Sequence, residues 1–259
     1  MAKLVALDAG HGINTAGKRT PDNEREWSFN NQVLLAAQKR LAEYEDVKVL
    51  RLDDPTGKTD VPLIDRTNKA NKAKADVLVS IHHNANTGKW GNWTGTETFT
   101  YTPASANPKS VALAKAVHPK LVKAMGLNDR GLKAADFHMV RESKMPAILT
   151  EGGYMDSVVD IKALRSDARL KLAGIAIADG VAAYLGLKLK AVEKPKPTPT
   201  KPKPAPTQSE ALKPVAKDDM YRVKVEGKQV GAYASDQNVL EQIEKALKGD
   251  KKKIEVERV

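Results

Sequence analysis

The most constraining feature of this sequence is an apolar run, residues 4–7, that is followed closely by Gly10, His11 and Gly12. Such a run is typical of a β-strand that is covered on both faces. The two glycines allow a sharp turn at the carboxyl end of that strand, the edge where open α/β folds place their sites. His11 alone could equally be a hydrogen-bonded structural histidine. A dinucleotide-binding motif is excluded because Thr15 stands where its third glycine is needed.

Two later apolar runs repeat this arrangement. Residues 77–81 lead into His82 and His83, and residues 146–149 lead, one residue later, into Glu151, which two glycines follow. Three predicted strands therefore end in imidazoles or a carboxylate beside small or polar residues. Together they predict a functional site at one end of a sheet.

Predicted strands alternate with predicted helices through the first part of the chain. One helix is expected at about 23–44 with Glu26 in its first turn, where a carboxylate also favours the helix dipole. Another is expected at 61–75 with Ile64 turned inward, and a short strand at 137–140. The alternation predicts an α/β fold with a largely parallel, twisted sheet flanked by helices.

Composition divides the chain into three parts. Residues 1–190 carry the α/β pattern and are expected to form the catalytic domain. Residues 191–214 are rich in Pro, Lys and Thr, a composition that forms an extended spacer and no core. Residues 215–259 are expected to form a small α+β module with two or three strands and a helix at 238–247. The module has no cluster of carboxylates and histidines, so we expect it to bind and not to catalyse.

Charge and residue usage restrict the partners. The 259 residues carry a net charge of +11 and no cysteine, so thiolate metal sites and disulfides are excluded. The charge suits a polyanion such as an acidic wall polymer, and nucleic acid is not expected because basic runs interleaved with aromatic residues are missing. No apolar run is long enough for a membrane span. The beginning of the chain has no signal-peptide pattern, so we expect synthesis in the cytoplasm and later release. A monomer is expected.

The motifs of the predicted site occur in the order seen in one enzyme family. They read Leu-Asp-Ala-Gly-His-Gly, a Glu that opens a helix, Ser-Ile-His-His-Asn-Ala, and Pro-Ala-Ile-Leu-Thr-Glu-Gly-Gly-Tyr. Between the last two lie Asp129-Arg130-Gly131 and Val140-Arg141. Over residues 3–186 the chain resembles the zinc-dependent N-acetylmuramoyl-L-alanine amidases of the type 3 family.

The resemblance implies a role for each matching residue. It implies that His11, Glu26 and His82 bind Zn²⁺ and that Glu151 is the catalytic carboxylate. Two histidines and a carboxylate leave zinc a position for water, the pattern of hydrolytic zinc sites. Glu24 is the rival ligand, and the family spacing to the following Asn favours Glu26.

Two histidines depart from the family pattern. His83 stands where relatives usually have a small residue, and His138 where they often have an apolar or aromatic one. Neither position is a mapped ligand, and each leaves open an added polar contact in the cleft.

The resemblance also implies a substrate. We expect hydrolysis of the amide between N-acetylmuramic acid and the L-Ala of the peptidoglycan stem peptide, with residues 215–259 binding the cell wall. Such an enzyme resembles a phage or prophage endolysin that reaches the wall through a holin-made lesion, and an autolysin freed by cell lysis fits nearly as well. The alternatives are a non-catalytic wall-binding protein and a zinc hydrolase that cleaves another wall bond.

Overall fold

The structure, a computed structural model, describes residues 2–191, 221–233 and 254–258. The chain divides into two units, Met1–Lys194 and Pro195–Val259. The strands of the first unit are β1 (Lys3–Ala9), β2 (Val47–Arg51), β3 (Val77–Asn84), β4 (Thr96–Tyr101), β5 (Asp129–Ala135) and β6 (Ala147–Tyr154). Its helices are α1 (Glu26–Leu41), α2 (Leu63–Lys72), α3 (Pro108–Met125), α4 (His138–Arg141), α5 (Ile161–Leu164) and α6 (Asp167–Leu185). In the described ranges no helix has the length and apolar character needed to cross a bilayer.

The six strands form one sheet in the order β2-β1-β3-β6-β4-β5. All neighbouring pairs are parallel except β4 and β6, which run antiparallel. The predicted α/β fold with a largely parallel sheet is therefore confirmed. The carboxyl ends of β1, β3 and β6 lie side by side, so the three motifs meet at one edge of the sheet.

Helices cover both faces of the sheet. Long helices α1, α3 and α6 pack on one face, where Val5, Val79 and Ile148 belong to the larger core cluster. The shorter α2 and α4 pack on the other face, together with Leu78 and Leu149. Because side chains alternate along a strand, this second face also carries His82, four residues beyond Leu78 on β3, and Glu151, two residues beyond Leu149 on β6.

The second face differs from the prediction in one element. Residues 137–140 were expected to form a strand, but the segment from His138 to Arg141 is the short helix α4. Met139 and Val140 are adjacent and both reach the core, which a strand with alternating faces would not allow. The true edge strand, β5, was not predicted, because its exposed charged residues hide the apolar alternation.

The inward face of α2 is also different from the prediction. Ile64 was expected to face the core but is 57% exposed, while Arg66 is fully buried. The guanidinium of Arg66 donates a hydrogen bond of 2.7 Å to the buried carboxylate of Asp8 and another to Asp60. A buried charge is tolerated only when it is paired in this way, and an apolar pattern cannot reveal such a pair.

The described part of the C-terminal unit is a three-stranded antiparallel sheet in the order β8-β7-β9. Its strands are β7 (Tyr221–Val225), β8 (Lys228–Tyr233) and β9 (Ile254–Arg258). Two or three strands were expected, and three are present. The predicted helix at 238–247 and the predicted linker, apart from Ala191, lie outside the described residues.

Candidate metal centre and active site

The turn after β1 brings His11 against His82. A side-chain carbon at Gly10 would lie 2.1 Å from the His82 ring, so only glycine allows this close approach. His11 has a left-handed backbone with φ of 67°, and its carbonyl accepts a hydrogen bond of 2.9 Å from Arg66. The two imidazole rings meet edge to face with their centroids 4.8 Å apart.

Glu26 lies between these two rings at the first position of α1. Its Oε1 accepts a hydrogen bond of 3.0 Å from Nδ1 of His82, and its Oε2 lies 3.3 Å from Nε2 of His11. One ligand atom from each of the three side chains lies within 4.8 Å of the others. The structure thus brings together the three residues for which the family resemblance implies a role as metal ligands.

Burial and pairing set the charges in this cluster. Burial alone would raise the pKa of Glu26, but the hydrogen bond and charge of His82 and the charge of His11 outweigh it and lower the pKa to about 2. Burial lowers the pKa of His11 to about 4. An ionised Glu26 and a neutral His11 are in the forms that bind a metal ion. Burial alone would lower the pKa of His82, but the hydrogen bond and charge of Glu26 outweigh it and raise that pKa instead.

A polar network behind Glu26 fixes its orientation. Asn30 donates through Nδ2 to Glu26 Oε1 at 3.3 Å and to the Gly10 carbonyl at 3.1 Å. His83 in turn donates from Nδ1 to Oδ1 of Asn30 at 2.8 Å. His83 points to the face of α1, opposite to His82, so it supports the cluster from behind and does not line the cleft.

Glu151 lies directly beside His82 across the paired strands β3 and β6. It is two residues beyond Leu149 and therefore faces the same side of the sheet as His82. Its Oε2 is buried and has no hydrogen-bond partner among the described residues. Burial raises the pKa of Glu151 to about 8, with the charge of His82 opposing the rise and that of Glu26 adding to it.

The donor set fits zinc on two grounds. Two imidazoles and one carboxylate are borderline ligands that Zn²⁺ accepts, and as three ligands they leave it an open position. In addition, the unpartnered oxygen of Glu151 is a buried acceptor that a polar group entering the cleft would satisfy. A cavity of about 260 Å³ lies next to this cluster and is lined by His11, His82 and Arg66.

The remaining candidates lie apart from the cluster. Glu24 is paired with Arg165 at 2.5 Å and is 38% exposed. His138 shares a hydrogen bond of 3.2 Å with the hydroxyl of Thr67. His118, on α3, lies within hydrogen-bonding distance of Thr98 and Asp129.

Sequence reasoning missed two buried acidic residues, one beside Glu151 and one that anchors the loop after β3. Glu97 is buried in β4 directly across from Glu151, within a Thr-rich strand whose pattern carries no sign of a site. Asp156 is fully buried and accepts hydrogen bonds from three successive backbone N–H groups, at residues 86–88, and from Nε1 of Trp93. It fixes the loop after β3, in which Trp90 is 40% exposed.

Comparison with known families and proteins gives a consistent result. A family described as N-acetylmuramoyl-L-alanine amidase matches residues 5–183. The endolysin of Bacillus phage SPP1 is 36% identical over 196 residues, which cover 74% of this chain and 69% of that protein. The sporulation-specific N-acetylmuramoyl-L-alanine amidase of Bacillus subtilis is 35% identical over 185 residues, 71% of this chain and 69% of that one.

The fold is also shared with a solved structure. The catalytic domain of CwlV, an N-acetylmuramoyl-L-alanine amidase from Bacillus (Paenibacillus) polymyxa var. colistinus, superimposes with a TM-score of 0.65 at 32% identity. The match covers 72% of this chain and 99% of that domain.

Proposed function

Because this chain belongs to the N-acetylmuramoyl-L-alanine amidase family, we propose that it is a zinc-dependent peptidoglycan hydrolase that cleaves the amide between N-acetylmuramic acid and the L-Ala of the stem peptide. The observation that carries the proposal is the meeting of His11, Glu26 and His82 within 4.8 Å, next to the unpartnered oxygen of Glu151.

In this proposal His11, Glu26 and His82 hold the zinc ion. When bound, zinc supplies Lewis-acid chemistry, acidifying water and polarising a carbonyl. Glu26 contributes the single negative charge among the three ligands, and Asn30 keeps its carboxylate turned toward the two imidazoles. Gly10 leaves the space in which the His82 ring lies.

Glu151 is proposed to move the proton. Its carboxylate lies beside His82 in a buried position with one oxygen available to a group in the cleft. The positive charge of an ion held by the three ligands would oppose the rise in the pKa of Glu151, so that the ionised carboxylate could take a proton from the attacking water and pass it to the nitrogen of the leaving L-Ala. Glu151 is not proposed as a ligand, because the three residues within mutual ligand distance are the other ones.

The wider assignment rests on the same family relationship. A phage endolysin and a bacterial sporulation amidase match this chain at 36% and 35% identity, so both kinds of lytic enzyme are represented among its relatives. We propose an endolysin that reaches the wall after a holin-made lesion, or on lysis of the cell, and that binds peptidoglycan as a monomer. The net charge of +11 favours contact with anionic wall polymers.

Product analysis on purified peptidoglycan tests the reaction. The zinc-loaded protein should release free amino groups of L-Ala, with no new reducing sugar ends and no cleaved peptide crosslinks. A chelator should stop the release and added zinc should restore it. New amino groups on any other residue would indicate a different hydrolase, and wall binding without release would indicate a non-catalytic protein.

Deletion of the C-terminal part tests the proposed domain division. A fragment of residues 1–190 should fold and cleave soluble muropeptides at nearly the full rate, because the sheet and the metal-binding cluster lie within it. It should lyse whole cells more slowly than the full chain. The isolated fragment 215–259 should sediment with cell walls and release nothing. Failure of that fragment to bind walls at any salt concentration would give the module another role.

A further inference from the structure

A row of charged residues extends from the metal-binding cluster across the sheet. His82 on β3 pairs with Glu151 on β6, and Glu151 pairs with Glu97 on β4. Glu97 lies two residues before Phe99, which packs against the core of the α2 and α4 face. All three side chains therefore lie on one face.

Glu97 holds two cations at the far end of this row. Its Oε2 accepts a hydrogen bond of 3.0 Å from Nε of Arg130, and Nζ of Lys133 is bound to the same oxygen. Its Oε1 accepts hydrogen bonds from Asn84 at 2.7 Å and from the hydroxyl of Tyr154 at 3.3 Å. Four donors thus saturate a carboxylate that is only 3% exposed.

The two cations exceed what Glu97 needs for neutrality. One buried negative charge is paired with two positive charges, and each of these side chains is 37% exposed. The Arg130 guanidinium also lies 5.1 Å from the centre of the Tyr154 ring, which limits its motion. The end of the row therefore presents two preorganised cations that are partly open to solvent.

We propose that Arg130 and Lys133 form a subsite for a carboxylate of the substrate, on the peptide residue that follows the L-Ala of the scissile amide. Arg130 would donate its terminal N–H groups to that carboxylate and Lys133 its free ammonium hydrogens. The inference rests on the proposed function, because it assumes that the scissile amide lies beside Glu151 and that the peptide released with the leaving amine lies toward Arg130 and Lys133.

The dimensions of the sheet support this placement. Neighbouring strands are about 4.8 Å apart. Arg130 and Lys133 are on β5, three strands from His82 and two from Glu151, and their charged ends reach back to Glu97 on β4, the strand next to that of Glu151. An extended peptide advances by about 3.5 Å per residue. A chain whose first amide lies beside Glu151 and that runs toward β5 would therefore bring the carboxylate of its second residue within reach of Arg130 and Lys133.

A pair of synthetic substrates tests the subsite. The two are N-acetylmuramoyl peptides that differ only in whether the carboxyl group of the second residue is a free acid or its carboxamide. The zinc-loaded full chain should cleave the acid with a kcat/KM about tenfold higher, the scale of a charge-assisted hydrogen bond near solvent. The difference should appear in KM, since the group is remote from the reacting bond.

Single substitutions identify the cations responsible. Arg130→Gln and Lys133→Met each leave one cation, which is paired with Glu97. The ratio of kcat/KM for the acid to kcat/KM for the carboxamide should therefore fall to nearly one. The KM of the carboxamide should not change. The matched control is Arg141→Gln, since Arg141 is 36% exposed and paired with Asp136 and Glu142 but lies on α4. It should keep the wild-type preference. Lys133→Arg, which keeps the charge, should retain most of it.

Calorimetric titration of the zinc-loaded protein with the two free peptides separates this inference from the proposed reaction. Tighter binding of the acid, lost in Arg130→Gln, supports the subsite even if neither amide is cleaved. Equal binding of acid and carboxamide overturns it even if both are cleaved. Equal loss of kcat/KM on both substrates in the variants would also overturn it, since it would show a structural role only.

Discussion

Glu151→Gln is expected to lower turnover on peptidoglycan by about 10²–10⁴-fold, the usual contribution of general acid–base catalysis. The amide keeps the shape of the side chain but cannot accept a proton at neutral pH. The protein should fold and keep its zinc, because Glu151 is outside the group of three proposed ligands. The measurements are zinc content by elemental analysis and the release of L-Ala amino groups.

The same acid-to-amide change at Glu24 provides the control. Glu24 lies close to the site in sequence, but its carboxylate is paired with Arg165 near the surface. Glu24→Gln should therefore keep both zinc and turnover. A Glu151→Gln protein with the wild-type rate would remove Glu151 from the chemistry, and one that lost its zinc would place it among the ligands.

The strand-end motifs were predictable because each is local in sequence. A strand, a turn of small residues and a polar side chain lie within a few consecutive positions, and the parallel sheet brings the ends together. That logic located His11, His82 and Glu151 at one edge of the sheet. Glu26 was harder to choose over Glu24, because the two are only two residues apart and the exact start of α1, at Glu26, decides which of them faces the site.

The remaining features depend on contacts between distant positions. Arg66 is buried because Asp8, 58 residues earlier, accepts its charge. Glu97 acquires its place because β4 runs antiparallel to β6 and sets it across from Glu151. The role of His83 also needed the structure, since its neighbour His82 faces the opposite side of the same strand. No pattern of a single segment contains these pairings.

Substitution of a proposed metal ligand is expected to have the second large effect. It should weaken zinc binding, and the loss of activity should follow from the loss of zinc. His11→Ala should abolish both zinc binding and activity. Glu26→Gln should weaken zinc binding by more than the roughly 10–100-fold cost of losing an outer-shell partner, because a neutral amide replaces the one anionic ligand. Competition with a chelator of known affinity measures this without any enzyme assay.

The matched control for the histidine is His138→Ala, which removes an imidazole bonded to Thr67 away from the cluster. It should keep its zinc. His11→Ala and Glu26→Gln should also lose the thermal stabilisation that zinc is expected to give the wild type, since an ion that binds the folded state raises the unfolding temperature. A different result would reverse the two assignments. If Glu26→Gln retained zinc at wild-type affinity while Glu151→Gln released it, Glu151 would be the metal ligand and Glu26 would not.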